Sequence, residues 1–120
     1  MGIKELRTTE EVDAALSSKN GTIMVFVNSV CGCSAGSARP ALSMAVKNKK
    51  LPDHLYTVFA GVDIEATARA RSYFVGYEAS SPSIAMLKNG AIVRMIERKD
   101  IEGRSADDVA RDLIETFEKM

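Results

Sequence analysis

Two residue types that build many catalytic and metal sites are scarce in this chain of 120 residues. Histidine occurs once, as His54, and cysteine occurs twice, as Cys31 and Cys33, so together they offer at most three ligands to a metal ion. A closed zinc site needs more ligands than that, and we interpret His54 as a surface side chain. Two thiolates could still hold a soft ion such as Cu(I), so that alternative stays open.

The chain also lacks an excess of either charge and lacks a long apolar run. Its 16 basic residues balance 16 acidic residues, which predicts no nucleic-acid and no anionic-membrane partner. No apolar stretch approaches the roughly 20 residues that cross a bilayer. Residues 1–6 lack the apolar core and cleavage site of a secretory signal. We therefore expect a cytoplasmic protein with a single domain over residues 1–120.

The two cysteines lie one glycine apart, between the apolar run 23–27 and a segment whose apolar residues recur at helical spacing. In a reducing cytosol, a close thiol pair is more often catalytic, redox-sensing or metal-binding than structural. A disulfide across so short a loop would also remove little entropy from the unfolded chain. The placement therefore makes a redox site the first hypothesis.

Hydrophobic periodicity predicts helices that alternate with strands. Helices are expected from Thr8 or Thr9 onward, after the cysteines, over residues 64–74 and after Ser105, and strands over 22–28, 56–62, 83–88 and 91–96. The unbroken apolar strand 22–28 is typical of a central parallel strand, and Asn89-Gly90 predicts a type I′ hairpin. This order indicates an α/β fold with a mixed central sheet of about four strands and helices on both faces.

Element order and spacing resemble the thioredoxin fold, in which reactive cysteines follow the first central strand and a proline precedes the third. The resemblance implies that Pro82 follows a cis peptide bond at Ser81 and lies against the cysteine pair. Thioredoxins carry a buried aspartate six residues before the first cysteine, and Val25 occupies that position here. Proton transfer would then use water, the second thiol, or the hydroxyl of Ser29 or Ser34.

The resemblance extends to the local sequence. Residues 28–40, Asn-Ser-Val-Cys-Gly-Cys-Ser-Ala-Gly-Ser-Ala-Arg-Pro, are similar to the signature of the bacilliredoxins, which are thioredoxin-like proteins with a Cys-Gly-Cys site. Segments 57–61, 80–83 and 98–103 match the same family. The family implies a thiol–disulfide oxidoreductase in which Cys31 is the nucleophile and Cys33 the resolving cysteine.

The resemblance also implies the partners of the reaction. The substrates would be client proteins whose cysteines carry mixed disulfides with a low-molecular-weight thiol, bacillithiol. Bacillithiol would act as a co-substrate, no cofactor would be bound, and a disulfide reductase system would regenerate the thiols. Disulfide isomerase activity is associated with the same family and would use the same two thiols.

Residues around the cysteines suit thiolate chemistry. A thiolate is the attacking species, and the N-terminus of the helix after Cys33 would favour that anion. Gly32 lets the backbone turn tightly. Arg39 either raises the positive potential at the sulfurs, binds a substrate carboxylate, or is a solvated helix residue. Because Cys-Gly-Cys closes a smaller disulfide ring than Cys-x-x-Cys, we expect strain and a more oxidising potential than that of thioredoxin.

A second class of function is left open by the residues alone. A redox-inactive binding module could keep the thioredoxin-like scaffold, and it could hold a soft metal ion through Cys31 and Cys33. Thiol reactivity separates the two classes: a Cys31 pKa well below about 8.5 supports catalysis, whereas an unreactive Cys31 or tight stoichiometric metal binding supports the binding module.

Overall fold

The computed structural model of this chain describes residues 3–17, 21–29, 40–60, 63–74, 83–101 and 104–120, which form strands and helices. The strands are β1 (Lys4–Glu5), β2 (Thr22–Ser29), β3 (His54–Ala60), β4 (Ser83–Lys88) and β5 (Ala91–Ile96). The helices are α1 (Thr9–Leu16), α2 (described over residues 40–45), α3 (Ile64–Arg71), α4 (Arg98–Ile101) and α5 (Ala106–Lys119).

The strands form one mixed sheet in the order β1-β3-β2-β4-β5. Strands β1, β3 and β2 are parallel, and β4 and β5 join antiparallel. The central position of β2 explains its unbroken apolar sequence, since every side chain from Ile23 to Val27 is at most 4% exposed. The predicted central parallel strand is confirmed.

Helices cover both faces of this sheet. Because neighbouring residues of a strand point to opposite faces, Met24 and Phe26 pack with α2 and α5, whereas Val25 and Val27 pack with α1 and α3. The core on the side of α2 and α5 contains the buried apolar side chains of α5, which are Val109, Ala110, Leu113 and Phe117. The predicted α/β fold with helices on both faces is therefore confirmed.

The sheet has five strands rather than about four, because β1 was not predicted. This strand has two residues, Lys4 and Glu5, which pair with Tyr56 and Thr57 of β3. The Leu6 N–H extends the pairing by donating to the Thr57 carbonyl at 2.8 Å. Two residues are too few to show alternation in the sequence, so only tertiary pairing defines this strand.

Strand β2 ends at Ser29, one residue later than predicted, and two further boundaries differ more. Strand β3 begins at His54, which is exposed and stacks on the ring of Tyr56 with 5.8 Å between centroids. Helix α3 ends at Arg71 rather than at residue 74. The N–H groups of Tyr73 and Phe74 donate three residues back, to Ala70 and Arg71, so the chain tightens into a turn there.

Caps and the hairpin follow the predicted chemistry. The Thr8 hydroxyl accepts from the Glu11 N–H at 3.1 Å, and the Ser105 hydroxyl accepts from the Asp108 N–H at 3.2 Å. Asn89 and Gly90 have φ values of 53° and 85°, as a type I′ turn requires. These local signals place the starts of α1 and α5 and the turn between β4 and β5.

Arg104 joins the two last helices. Its guanidinium donates to the carbonyls of Asp100 and Asp108 and to the carboxylate of Asp112. The Asp112 contact raises the pKa of Arg104 above its ordinary value. Segment 98–103, which matches the family, thus directly precedes a residue that connects α4 to α5 and stabilises their packing.

Candidate functional site

The predicted thiol site falls almost entirely outside the described residues. Its members there are Cys31, Gly32, Cys33, Ser34, Arg39, Ser81 and Pro82. Ser29 is described through its backbone, which ends β2 opposite Ala60 of β3. The roles of all these residues stay predictions, and the structure describes the framework that flanks them.

That framework brings two distant parts of the chain to one edge of the sheet. Strand β2 runs toward the cysteines and ends at Ser29, while β4 begins at Ser83, the residue after Pro82. In the antiparallel register of these strands, Val27 pairs with Ser83. The strand that precedes the cysteine segment, β2, and the strand that follows Pro82, β4, are therefore neighbours in the sheet.

Val25 occupies the position that the thioredoxin resemblance associates with a buried acid. It is fully buried between Tyr56 of β3 and Ala85 of β4, in the core under α1 and α3. A charged carboxylate in this apolar layer would be strongly desolvated. This packing is in keeping with a proton route that does not use the Val25 position.

An open groove lies beside the end of β2, on the face covered by α2. Its volume is about 540 Å³. It is lined by Ile3, Glu5, Phe26, Asn28, Pro40, Leu42, Ser43, Thr57 and Phe59. Sequence reasoning missed it, because four separate elements contribute to it and no local pattern marks a surface of that kind.

The groove has an apolar interior and a few polar groups. Asn28, only 6% exposed, lies on β2 three residues before Cys31. The Thr57 hydroxyl donates to the Phe26 carbonyl at 2.9 Å, so its proton is already engaged. At the rim, the Glu5 carboxylate accepts from the Arg7 guanidinium at 2.9 Å, which raises the pKa of Arg7.

Within the described part of the chain, no helix is long and apolar enough to cross a membrane. Among the same residues, no three side chains of His, Cys, Asp or Glu come together as ligands for a metal ion. Neither finding covers residues 30–39, which contain both cysteines.

Sequence comparisons relate the whole chain to known proteins. A family model described as disulphide isomerase matches residues 1–120. The chain is 56% identical over 119 residues to a bacilliredoxin of Geobacillus kaustophilus, covering 98% of this chain and 82% of the relative. It is 55% identical over 118 residues to a bacilliredoxin of Staphylococcus haemolyticus, covering 98% of this chain and 81% of the relative.

Solved structures add a likeness of fold. A thioredoxin of Fasciola hepatica superposes with a TM-score of 0.63 at 19% identity, covering 96% of this chain and 99% of that one. A thioredoxin pre-protein of Schistosoma mansoni superposes with a TM-score of 0.61 at 21% identity, covering 98% and 99%. At such low identity these structures establish the thioredoxin fold and nothing about substrates.

Proposed function

This chain belongs to the bacilliredoxin family of thiol–disulfide oxidoreductases, and we propose that it removes a low-molecular-weight thiol from client proteins. The proposed substrate is a mixed disulfide between a client cysteine and bacillithiol. Cys31 is the proposed nucleophile and Cys33 the proposed resolving cysteine. The chain would act as a single thioredoxin-like domain over residues 1–120 in the cytoplasm, without a bound cofactor.

The proposed reaction has two exchanges. The Cys31 thiolate attacks the bacillithiol sulfur, a bond forms between these sulfurs, and the client leaves as a thiolate that takes up a proton. The Cys33 thiolate then attacks the Cys31 sulfur and expels bacillithiol as a thiolate. The product is a Cys31–Cys33 disulfide, which needs two electrons from a disulfide reductase system before the next cycle.

The register between β2 and β4 is the observation that most supports this proposal. Val27 and Ser83 are paired, so the segments that lead to Cys31 and away from Pro82 start from adjacent strands. Parallel strands also end at this edge, where the folds of the α/β class commonly bind their ligands. A proline beside a thiol pair is the arrangement that the family resemblance implies.

Several further roles belong to the same proposal. Ser81 and Pro82 would contact the substrate next to the disulfide, and Gly32 would leave the approach to sulfur open. Water, the second thiol, or the hydroxyl of Ser29 or Ser34 would transfer the proton that a buried acid transfers in thioredoxins. Arg39 would bind a substrate carboxylate or raise the positive potential at the sulfurs.

The alternatives use the same cysteines differently. Disulfide isomerase activity would start with the same Cys31 attack, and the matching family description supports it as a second activity. A redox-inactive binding module or a Cu(I) binder would instead keep the thiol pair without turnover.

The decisive experiment compares wild type, Cys31→Ser and Cys33→Ser on a bacillithiolated client protein. Wild type should release bacillithiol through an intramolecular disulfide, and Cys31→Ser should lose the activity. Cys33→Ser should stop after the first exchange and accumulate bacillithiol on Cys31, a mass increase that intact-protein mass spectrometry detects. Activity retained by Cys31→Ser would refute the assignment of roles, and stoichiometric Cu(I) binding without turnover would favour the alternative.

A further inference from the structure

The apolar groove beside β2 has no part in the two proposed exchange steps. Its floor comes from Phe26 and Leu42, which belong to the buried core and are therefore held in place. Its walls come from the partly buried Ile3 and Phe59 and from Pro40, which is exposed. The result is a preformed concave surface of hydrocarbon that opens to solvent, as is typical of a binding site.

Two residues that line the groove flank the cysteine segment in the sequence. These are Asn28 and Pro40, and the chain between them carries both cysteines. Cys31 follows Asn28 by three residues, a stretch that spans about 10 Å at most. The residues that flank a modified client cysteine can therefore reach the groove while that cysteine is at Cys31.

Of the two partners in the proposed reaction, the polypeptide fits the groove better. A small polar thiol would lose hydration in this groove, because its apolar walls offer few partners for polar groups. A polypeptide can instead bury an apolar side chain against the same walls. The Glu5 pair with Arg7 is exposed, and such pairs contribute little, so Glu5 can also attract a client cation.

Building on the proposed function, we propose that the groove binds an apolar side chain of the client, located within a few residues of the modified cysteine. A Lys or Arg beside that side chain would lie near Glu5 and strengthen binding. The groove would thus select among client proteins, while the thiols act on any mixed disulfide that reaches them.

The test uses short peptides with one bacillithiolated cysteine and with Leu, Ala or Asp two residues away. Wild type should prefer the Leu peptide over the Ala peptide by about tenfold in kcat/KM, the effect of burying part of one apolar side chain. Ser43→Phe, which places a phenyl ring in the groove, should bring this preference close to one. Ala68→Phe makes a matched change at an exposed position of α3 on the other face and should keep the preference.

A second pair of variants tests the rim without filling the groove. A peptide that carries Lys next to the Leu should have a higher kcat/KM than the same peptide without that Lys, and Glu5→Lys should reduce this advantage. Glu10→Lys reverses an exposed charge on α1, away from the groove, and should not alter that advantage. Circular dichroism confirms that each variant is folded before its ratio is compared.

Binding can be measured without turnover, because the protein contains no tryptophan. A peptide with Trp in place of Leu and Ser in place of the cysteine should shift its emission to the blue with wild type and with Ala68→Phe, but not with Ser43→Phe. If no mixed disulfide is turned over, the proposed function fails, and this shift still decides whether the groove binds an apolar side chain.

Three outcomes would overturn the groove proposal. The first is a preference and an emission shift that are the same in wild type and Ser43→Phe. The second is a Ser43→Phe effect of equal size on the disulfide of free bacillithiol, which would assign the groove to the small thiol. The third is a dimer in light scattering that Ser43→Phe dissociates, which would assign the groove to a second copy of the chain.

Discussion

Val27 of β2 and Ser83 of β4 face each other across an antiparallel ladder. Val27 precedes Cys31 by four residues, and Ser83 directly follows Pro82. Two segments separated by about half of the chain therefore leave the sheet side by side. This pairing supports a thiol site where β2 ends and β4 begins, and it does so through the order of the strands rather than through the proline alone.

The redox potential tests the effect of the short spacing between the cysteines. Since the Cys-Gly-Cys ring has few torsions with which to reach the preferred disulfide dihedral, the disulfide should be easily reduced. Equilibration with glutathione buffers should give a potential above about −270 mV, the value of thioredoxin. Inserting a second glycine between Gly32 and Cys33 should lower the potential. A wild-type value as low as that of thioredoxin would contradict the strain argument.

The reactivity of Cys31 tests the proposed thiolate and separates the roles of Arg39. In Cys33→Ser, alkylation by iodoacetamide at graded pH should report a Cys31 pKa below about 8.5, the value of a free cysteine. If Arg39 raises the positive potential at the sulfur, Arg39→Ala should raise that pKa and slow alkylation at neutral pH. Lys47→Ala, at an exposed position after α2, is the matched control. An unchanged Cys31 pKa in Arg39→Ala would rule out the electrostatic role and leave a contact with a substrate carboxylate or a solvated arginine.

Most of the fold could be predicted because its signals are local. The apolar run of β2, the Asn89-Gly90 turn and the caps at Thr8 and Ser105 each determine backbone conformation within a few residues. Parallel pairing of β2 with β3 then follows from the length of the connection between them. These predictions are confirmed because local preference and tertiary packing agree.

The features that were missed depend on contacts between distant residues. Strand β1 exists because Lys4 and Glu5 pair with β3, and neither residue favours a strand by itself. The groove is formed by residues of β1, β2, α2 and β3 together, and no local sequence pattern encodes such an arrangement. Asn28 is part of the matched family signature, but its place in the groove follows only from the pleat of β2.

Gly21 offers a test of the turn that leads into β2. Its φ is +86°, and an added Cβ would lie 2.6 Å from the Asp53 Oδ2 atom. That oxygen accepts from the Thr22 N–H at 3.1 Å, and the Thr22 hydroxyl accepts from the Asp53 N–H at 2.9 Å. Gly21→Ala should therefore lower the free energy of unfolding by about 2 kcal/mol, from backbone strain and a disturbed hydrogen bond.

A double-mutant cycle divides this cost into its two causes. In an Asp53→Ala background the added methyl meets no carboxylate, so Gly21→Ala should cost only the backbone strain, about 1 kcal/mol. Urea unfolding of the four proteins measures both values. Equal costs in the two backgrounds would show that the contact with Asp53 contributes nothing.

Asp13 gives a prediction for the pH dependence of stability. Its Oδ1 atom accepts from the Arg69 Nε at 2.7 Å and from the Tyr73 hydroxyl at 2.8 Å, so it connects α1 to α3. The Arg69 hydrogen bond, and then the Tyr73 hydrogen bond, lower the pKa of Asp13. The hydrogen bond to Asp13 in turn raises the pKa of Tyr73.

The direction of each shift determines where the stability is lost. Since the folded pKa of Asp13 is lowered, its contribution is present above the ordinary carboxyl pKa and disappears as the pH falls through the folded value. Since the folded pKa of Tyr73 is raised, its contribution is present below the ordinary phenol pKa and disappears as the pH rises through the folded value.

Asp13→Asn should therefore be less stable than wild type at neutral pH, and the two proteins should converge in acid. The difference should be small, because both partners of the ion pair are exposed and screened by solvent. Urea midpoints measured from neutral to acid pH provide the comparison, and Glu65→Gln, at an exposed position of α3, is the control. A difference that persists unchanged in acid would show that Asp13 acts through packing rather than through its charge.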